Sequence, residues 1–291
     1  MLYQSRPNPQ WFGNIRNEDH TNWSDVNWLL SRYHLSFAEY RNKLNNNFGV
    51  LKFLNDDLIQ PLRGFNDYDS SDMEIVTYVV DGELTHKNNI NNVKSKIKLS
   101  RGSIQAITAG GNGITHSEFN KSNKPLRLIQ MNFNTRTKNI KTEYNSAEGS
   151  FSSRMNVWQH LVSDNLKQDI KSDVKISADI NILVTELDDK NISILFELNP
   201  NRQAYVLQLE GKCNYEINDD TIEDIVLDMY DAAELSNNIR INITSLNGPA
   251  MIMIIEMKHD EQASGRCDFE EFEEKMKAKA EEEKNQIPTI P

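Results

Sequence analysis

Cysteine is scarce in this sequence. Only Cys213 and Cys267 occur among 291 residues, and no CxxC pair is present. A disulfide framework needs several regularly spaced cysteines, and cysteine-based zinc sites use closely paired ones, so neither is expected. We therefore expect two free thiols in a reducing compartment.

Positive charge and long apolar runs are also lacking. The chain has 32 lysines and arginines against 43 acidic residues, a formal net charge of −11. This balance argues against a general binder of nucleic-acid phosphates, although a protein partner stays possible. No stretch approaches the ~18 consecutive apolar residues of a membrane span, and no apolar signal segment is visible. The sequence predicts a cytoplasmic protein with neither a membrane nor a nucleic-acid partner.

Short apolar strands separated by turns fill the chain from about residue 48 to residue 133. The clearest covers 74–80 and ends at Asp81-Gly82, a strong hairpin signal, so we expect 83–86 to return beside it. Arg101-Gly102 repeats this signal, and 55–57, Asn-Asp-Asp, is typical of a turn. Many regularly spaced strands indicate a sandwich or barrel of the jelly-roll type.

The second half of the chain repeats the pattern of the first. Residues 204–215 carry an apolar strand, an acidic residue, a glycine and a return strand, as 75–86 do. Such self-similarity predicts a duplicated unit, so the fold class is all-β with two tandem jelly-roll barrels. The predicted domains are an N-terminal barrel at 1–137, a linker at 138–153 and a C-terminal barrel at 154–262.

The end of the chain has a different pattern. Phe269, Phe272 and Met276 recur at helical spacing among glutamates and lysines. This arrangement predicts an amphipathic α-helix that packs against a barrel, within a C-terminal region at 263–291.

The stretch 109–119 combines a glycine-rich turn with two common metal-ligand side chains. On a β-strand alternate side chains share a face, so His116 and Glu118 point the same way and Ser117 points away. This pair is half of a metal site, and the second barrel has no His-x-Glu element. A dinucleotide site is not expected, because no helix follows the glycines.

The remaining histidines carry less information. We expect His34, in an aromatic stretch, to fill a satisfied core position, and His86 to be a hydrogen-bonded strand residue. His160 lies in a polar context and is predicted at the surface.

Several segments together closely resemble the pirin family of bicupins. They are residues 31–40, 48–51, 54–57, 63–65, 72–86, 108–110 and 113–119. The resemblance is specific over the first half and looser over the second. It implies two cupin barrels face to face, with a divalent metal such as Fe, Mn, Ni or Cu in the N-terminal one. Some members cleave quercetin with O₂, and animal pirin is described as a nuclear, redox-sensitive transcription cofactor, which implies a possible nuclear location.

In the proteins that this chain resembles, the metal is held by a His-Pro-His pair and by the His and Glu of a His-Ser-Glu motif. Here His116 and Glu118 match, and Glu118 would be both ligand and base in an active quercetinase. Tyr68, Asp69 and Ser70 stand where the family has His-Pro-His. A tyrosine ionises only near pH ~10 and a serine less readily still, so neither is a good ligand for a divalent transition ion at neutral pH.

Two alternatives stay open for this site. A β-bulge that shifts the strand by one residue would turn Asp67 and Asp69 inward, giving a two-Asp, His, Glu site suited to Mn²⁺, Mg²⁺ or Ca²⁺. Otherwise 66–71 is a solvated polar loop, and His116 and Glu118 persist as a hydrogen-bonded pair without metal. We favour the second alternative.

Two functions follow from these alternatives. The first is a pirin-like protein without quercetinase activity, whose barrel cavity binds an unknown small molecule or whose surface binds a protein. The second is a metal-dependent, quercetin 2,3-dioxygenase-like oxidoreductase that uses His116 and Glu118. The sequence favours the first, a protein that is not an enzyme.

Overall fold

The computed structural model describes residues 2–5, 9–12, 28–36, 46–90, 93–218, 223–236 and 238–259. Nearly all of them lie in β-strands or in the turns between strands, so the predicted all-β class is confirmed. The predicted C-terminal helix and Cys267 lie outside the described residues. Within those residues, no helix has the length and apolar character needed to cross a membrane. The cellular compartment stays a prediction.

The first barrel consists of two antiparallel sheets that face each other. Its seven-stranded sheet contains, in spatial order, β12 (Glu143–Ala147), β9 (Ile104–Ala109), β6 (Met73–Asp81), β11 (Leu126–Asn134), β4 (Leu51–Ile59), β3 (Leu29–Tyr33) and β2 (Pro9–Phe12). Its four-stranded sheet contains β5 (Gly64–Ser70), β10 (Ile114–Phe119), β7 (Glu83–Ile90) and β8 (Val93–Ser100).

The second barrel repeats this arrangement. Its seven-stranded sheet contains β1 (Leu2–Ser5), β20 (Ala232–Ser236), β17 (Arg202–Glu210), β22 (Ala250–Lys258), β15 (Ile180–Leu187), β13 (Gln159–Asp164) and β14 (Val174–Ile176). Its four-stranded sheet contains β16 (Ser193–Leu198), β21 (Ile239–Ser245), β18 (Lys212–Ile217) and β19 (Ile225–Asp228). The central order β9-β6-β11-β4 recurs as β20-β17-β22-β15, which confirms the predicted duplication.

The two reversals that were predicted as hairpins are crossovers between sheets. Gly82 and Gly102 have φ values of 88° and 83°, which glycine adopts readily, so the chain does reverse at both. However, β6 is already paired with β9 and β11, which leaves no free edge for β7. Strand β7 therefore pairs with β8 and β10 in the opposite sheet, and the hairpin prediction was wrong.

Two segments depart from the predicted domain limits. The stretch 138–153, predicted as a linker, contains β12, which pairs with β9, and a short 3-10 turn at Phe151–Ser153. Strand β1 pairs with β20, so the start of the chain joins the sheet of the second barrel. Each barrel thus includes a strand from outside its predicted residue range.

A continuous apolar core joins the seven-stranded sheets of the two barrels. It contains fully buried side chains from both, including Tyr78 and Phe133 of the first and Tyr205 and Met251 of the second. Burying a large apolar side chain stabilises a fold by ~1.5–3 kcal/mol. His34 is buried here with its Nδ1 3.3 Å from the Tyr205 hydroxyl, so its predicted core position is confirmed.

Candidate functional site

Strand β10 places His116 and Glu118 on the inner face of the first barrel. The two side chains are 1% and 0% exposed. In the strand register, His116 lies opposite Tyr68 of β5 and Asn88 of β7. Glu118 lies opposite His86 of β7. Because directly opposite residues in an antiparallel pair share a face, these strands direct a set of polar side chains into one interior.

The Glu118 carboxylate is held by donors from the facing sheet. Its Oε1 accepts hydrogen bonds from the Thr77 hydroxyl at 2.9 Å and the Gln105 amide at 2.6 Å, and its Oε2 accepts one from the Gln130 amide at 2.5 Å. Burial raises the pKa of Glu118 to about 7, although the three hydrogen bonds lower it. Glu118 therefore holds a proton more readily than an exposed carboxyl does, and both of its oxygens are already engaged.

His116 is a neutral imidazole at physiological pH. Burial lowers its pKa to about 4, and the charges of Asp67 and Asp69 offset part of that effect. Its Nε2 lies 3.4 Å from the Ser70 hydroxyl, while its Nδ1 has no hydrogen-bond partner among the described residues. The predicted hydrogen bond between His116 and Glu118 is therefore not formed, because Glu118 accepts its hydrogen bonds from the facing sheet instead.

His86 is a site residue that the sequence did not reveal. Its ring stacks on His116 with centroids 5.6 Å apart and planes at 19°, and it lies 5.0 Å from the Tyr144 ring. Burial lowers its pKa to about 3, the neighbouring His116 lowers it further, and Gln105 offsets part of this. Neither ring nitrogen makes a hydrogen bond of ordinary geometry within the described part of the chain. The predicted hydrogen-bonded role of His86 stays a prediction, and Gln105 is the side chain near enough to fulfil it.

Tyr68 and Ser70, at the positions where the resemblance implies two further histidines, both lie beside His116. The Tyr68 ring packs 4.1 Å from that of His116, and burial, with the charge of Glu118, raises the pKa of Tyr68 well above its usual value. A bulge is present in the pairing of β5 with β10, yet Asp67 and Asp69 remain exposed. Asp69 accepts a hydrogen bond from the Thr115 hydroxyl at 2.5 Å on the outside. The alternative two-Asp site is therefore not formed.

The inner face retains several unpaired polar atoms. Besides the imidazole nitrogens, the side-chain nitrogen of Asn88 and the side-chain oxygen of Asn132 are buried without a hydrogen-bond partner among the described residues. Buried polar groups are nearly always hydrogen-bonded, and leaving one unpaired costs ~1–3 kcal/mol. Several unpaired polar atoms in one barrel interior are suited to hydrogen bonding with a polar ligand or with bound water.

Two facing β-sandwich barrels in one chain, one of them with a polar interior, define a bicupin. Residues 16–132 match the family model for Pirin, and 161–257 match that for the quercetinase C-terminal cupin domain. The chain is 30% identical over 233 residues to a Zymomonas mobilis protein provisionally assigned as a quercetin 2,3-dioxygenase, which covers 80% of this chain and 93% of that protein. The chain belongs to the pirin family.

Other relatives agree with this assignment, and a solved structure shows the same fold. A pirin-like protein of Caulobacter vibrioides is 42% identical over 37% of this chain and 45% of its own length. The quercetin 2,3-dioxygenase of Escherichia coli is 35% identical over 40% of this chain and 49% of its own length. The fold matches the bacterial pirin YhhW of Escherichia coli in its nickel(II) complex, with a TM-score of 0.71 at 22% identity, covering 89% of this chain and all of that one.

The described part of this barrel supplies two of the metal ligands that the family resemblance implies, His116 and Glu118. Within the described residues, no group of three or more His, Cys, Asp or Glu side chains is placed to hold a metal ion. Dedicated transition-metal sites use at least three protein ligands. Here His116 lies beside the half-buried Tyr68, whose pKa is raised, and beside Ser70, and the Glu118 oxygens accept three hydrogen bonds.

Proposed function

We propose that this chain is a pirin-like bicupin whose first barrel binds a small polar molecule and does not catalyse metal-dependent quercetin cleavage. The arrangement around Glu118 carries the proposal. Three donors from β6, β9 and β11 occupy the carboxylate, so an ion bound there would have to displace them. Tyr68 and Ser70 supply no replacement for the missing imidazoles.

The interior has the features of a binding site for a flat, hydroxylated ligand. The neutral rings of His86 and His116 are stacked and offer unpaired nitrogens that can donate or accept. Gln105 is fixed by Tyr144, whose hydroxyl donates to its Oε1 at 3.1 Å. A ligand that supplied hydrogen bonds to these unpaired atoms would gain affinity from them.

A second candidate function is that of a quercetin 2,3-dioxygenase. It is favoured by the relatives, since the Escherichia coli protein with that name is 35% identical over 118 residues and the Zymomonas mobilis protein extends the likeness over most of the chain. In that case His116 and Glu118 would hold the metal together with an altered second pair.

Quercetin consumption under O₂ separates the two candidates. The full chain is assayed with Fe²⁺, Mn²⁺, Ni²⁺ or Cu²⁺ added singly, beside the variant His116→Ala. We expect no metal-dependent consumption above the His116→Ala background. Metal-dependent turnover that His116→Ala abolishes would replace the proposal with the second candidate.

Ligand binding in the interior is tested separately by NMR with catechol as the probe. We expect catechol to shift the ring signals of His86 and His116, while the ring signals of His160, in the second barrel, stay unchanged. Absence of any shift at His86 and His116 with catechol in large excess would contradict the proposed binding site.

A further inference from the structure

The outer face of the sheet that carries His116 and Glu118 contains a separate pocket. In the strand register, Ser117 pairs with Lys87 and Phe119 pairs with Thr85, so these four side chains alternate away from the barrel interior. Together with Phe65 and Lys121 they line a cavity of about 540 Å³. Small-molecule sites typically measure ~300–1,000 Å³, so this pocket has the size of one.

One aromatic side chain, Phe119, forms a wall of this outer pocket, and it is half-buried. Phe65 borders the pocket on β5, but it pairs with Glu118, and its ring packs with Trp28 against the apolar cluster of the barrel interior, at a centroid distance of 5.4 Å. An aromatic side chain such as Phe119 binds flat apolar groups through stacking and edge contacts.

Beside Phe119 lies an unpaired hydroxyl. Thr85 is 1% exposed, and its Oγ1 has no hydrogen-bond partner in the part of the chain that is described. Ser117, beside it on β10, is also buried. A buried hydroxyl without a partner is costly, so the floor of the pocket is suited to a ligand with a hydrogen-bonding group.

The rim of the pocket is positively charged in a chain of net charge −11. Lys87 and Lys121 are exposed, and neither has an ion-pair partner among the described residues, whereas Lys98 on the same face is paired with Glu83 at 2.8 Å. Lys96 lies directly opposite Lys87. The pKa of Lys121 is lowered, first by Lys87 and then by Lys96, which indicates positive charge that is not neutralised locally.

One lining residue opposes this charge. Asp67 is exposed at the edge of the pocket, on β5. The two lysines of the lining outnumber it, and Lys96 adds to them, so the pocket as a whole favours an anion.

We propose that this outer pocket, lined by Phe65, Phe119, Thr85, Ser117, Lys87 and Lys121, binds a small aromatic carboxylate. The aromatic body packs against Phe119 and the carboxylate lies at the lysine rim. The site is independent of the barrel interior, because the two sites lie on opposite faces of β10. Its test therefore succeeds or fails separately from that of the proposed function.

The probe is 2-naphthoate, titrated into the full chain by calorimetry, with the neutral 2-naphthalenemethanol as its matched compound. We expect 2-naphthoate to bind and the alcohol to bind at least about tenfold more weakly. The double variant Lys87→Gln, Lys121→Gln should lose on the order of tenfold in affinity, since two rim charges are removed. Lys190→Gln, the same change on an exposed lysine of the second barrel, should leave the affinity unchanged.

A variant that is expected to raise the affinity for 2-naphthoate tests the location of the site. Asp67→Asn removes the carboxylate of the lining and should tighten 2-naphthoate binding severalfold. The proposal is overturned if 2-naphthoate does not bind at millimolar concentration, or if the alcohol binds as tightly. It is also overturned if the lysine double variant and Asp67→Asn both leave the affinity unchanged.

Discussion

The interiors of the two barrels differ, although their strand orders are the same. In the first barrel Thr77 pairs with Gln105 and Gln130, and Glu118 pairs with His86. In the second barrel the corresponding strands give apolar residues at the matching places: Val206 pairs with Ala233 and Ile254, Ile243 pairs with Tyr215, and Ile241 pairs with Ile217. These residues of the second barrel belong to one continuous apolar cluster.

This difference shows that the fold does not need a polar interior. Ile243 and Ile241, which take the places of Glu118 and His116, are each 1% exposed and add to the core of the second barrel. The first barrel lacks this apolar burial and instead buries a carboxylate and unpaired histidine nitrogens. Residues that break the local packing rule without benefit to stability are typical of a functional site.

The largest expected effect comes from moving the carboxylate of the first barrel into the second. Ile243→Glu places a charge in an apolar interior without the Thr77, Gln105 and Gln130 donors that hold Glu118. We expect a loss of about 4 kcal/mol or more in unfolding free energy, measured by urea denaturation. Leu195→Glu, on β16 and 40% exposed, is the control and should change stability by less than about 0.5 kcal/mol. A loss below about 1 kcal/mol for Ile243→Glu would remove the distinction between the interiors.

An intermediate effect is expected in acid, because the buried histidines among the described residues, His34, His86 and His116, all lie in the first half of the chain. Burial lowers the pKa of His34 to about 4, Asp56 raises it in part, and Arg127 and Arg32 lower it. The unfolded chain takes up this proton below pH ~6.5 and the folded chain only near pH 4, so His34 makes stability fall as pH drops through that window.

The variant His34→Gln should weaken this dependence. Between pH 7 and pH ~4.5 the wild type should lose about 2–3 kcal/mol more unfolding free energy than the variant does. Urea denaturation of both proteins at the two pH values measures this difference. Any destabilisation by His34→Gln that is the same at both pH values cancels in the comparison. Equal losses in the two proteins would show that His34 does not contribute to acid sensitivity.

The smallest effect is expected for the reciprocal exchange, Glu118→Ile. It leaves the three donors without an acceptor but also removes a buried carboxyl, so we expect a net loss of only about 1 kcal/mol in urea denaturation. Adding Thr77→Val, Gln105→Ala and Gln130→Ile, the residues of the second barrel, should recover that loss, because the donors are removed as well. A loss for Glu118→Ile as large as that for Ile243→Glu would contradict the comparison.

Much of the fold could be predicted from the sequence, because alternation and turn residues are local signals. The strands, the duplication and the chain reversals at Gly82 and Gly102 were predicted. The pairing partners were not, since they depend on which edges are free. The predicted turn at 55–57 is instead part of β4, where Asp56 accepts two hydrogen bonds from Arg127, at 2.9 and 2.6 Å, and Asp57 accepts one from Ser31. Arg127 and Ser31 lie 71 and 26 residues away along the chain, so the sequence around 55–57 does not reveal these hydrogen bonds.

The candidate site was likewise predicted only in part from the sequence. The common orientation of His116 and Glu118 follows from their spacing on one strand, and the sequence already placed Tyr68 and Ser70 where the resemblance implies the second ligand pair. The donors to Glu118 and the stacking of His86 on His116 come from other strands. They become neighbours only through sheet pairing, so the spacing of residues along the chain does not reveal them.

The metal content of the purified chain tests the central claim most directly, namely that the first barrel has lost the metal site of its family. Protein produced with added Ni²⁺, Mn²⁺ or Fe²⁺ is analysed by inductively coupled plasma mass spectrometry, beside the motif-restoring variant Tyr68→His, Asp69→Pro, Ser70→His. We predict substoichiometric metal in the wild type and about one ion per chain in the variant, lost again on His116→Ala. About one ion per wild-type chain, lost on His116→Ala, would contradict the account.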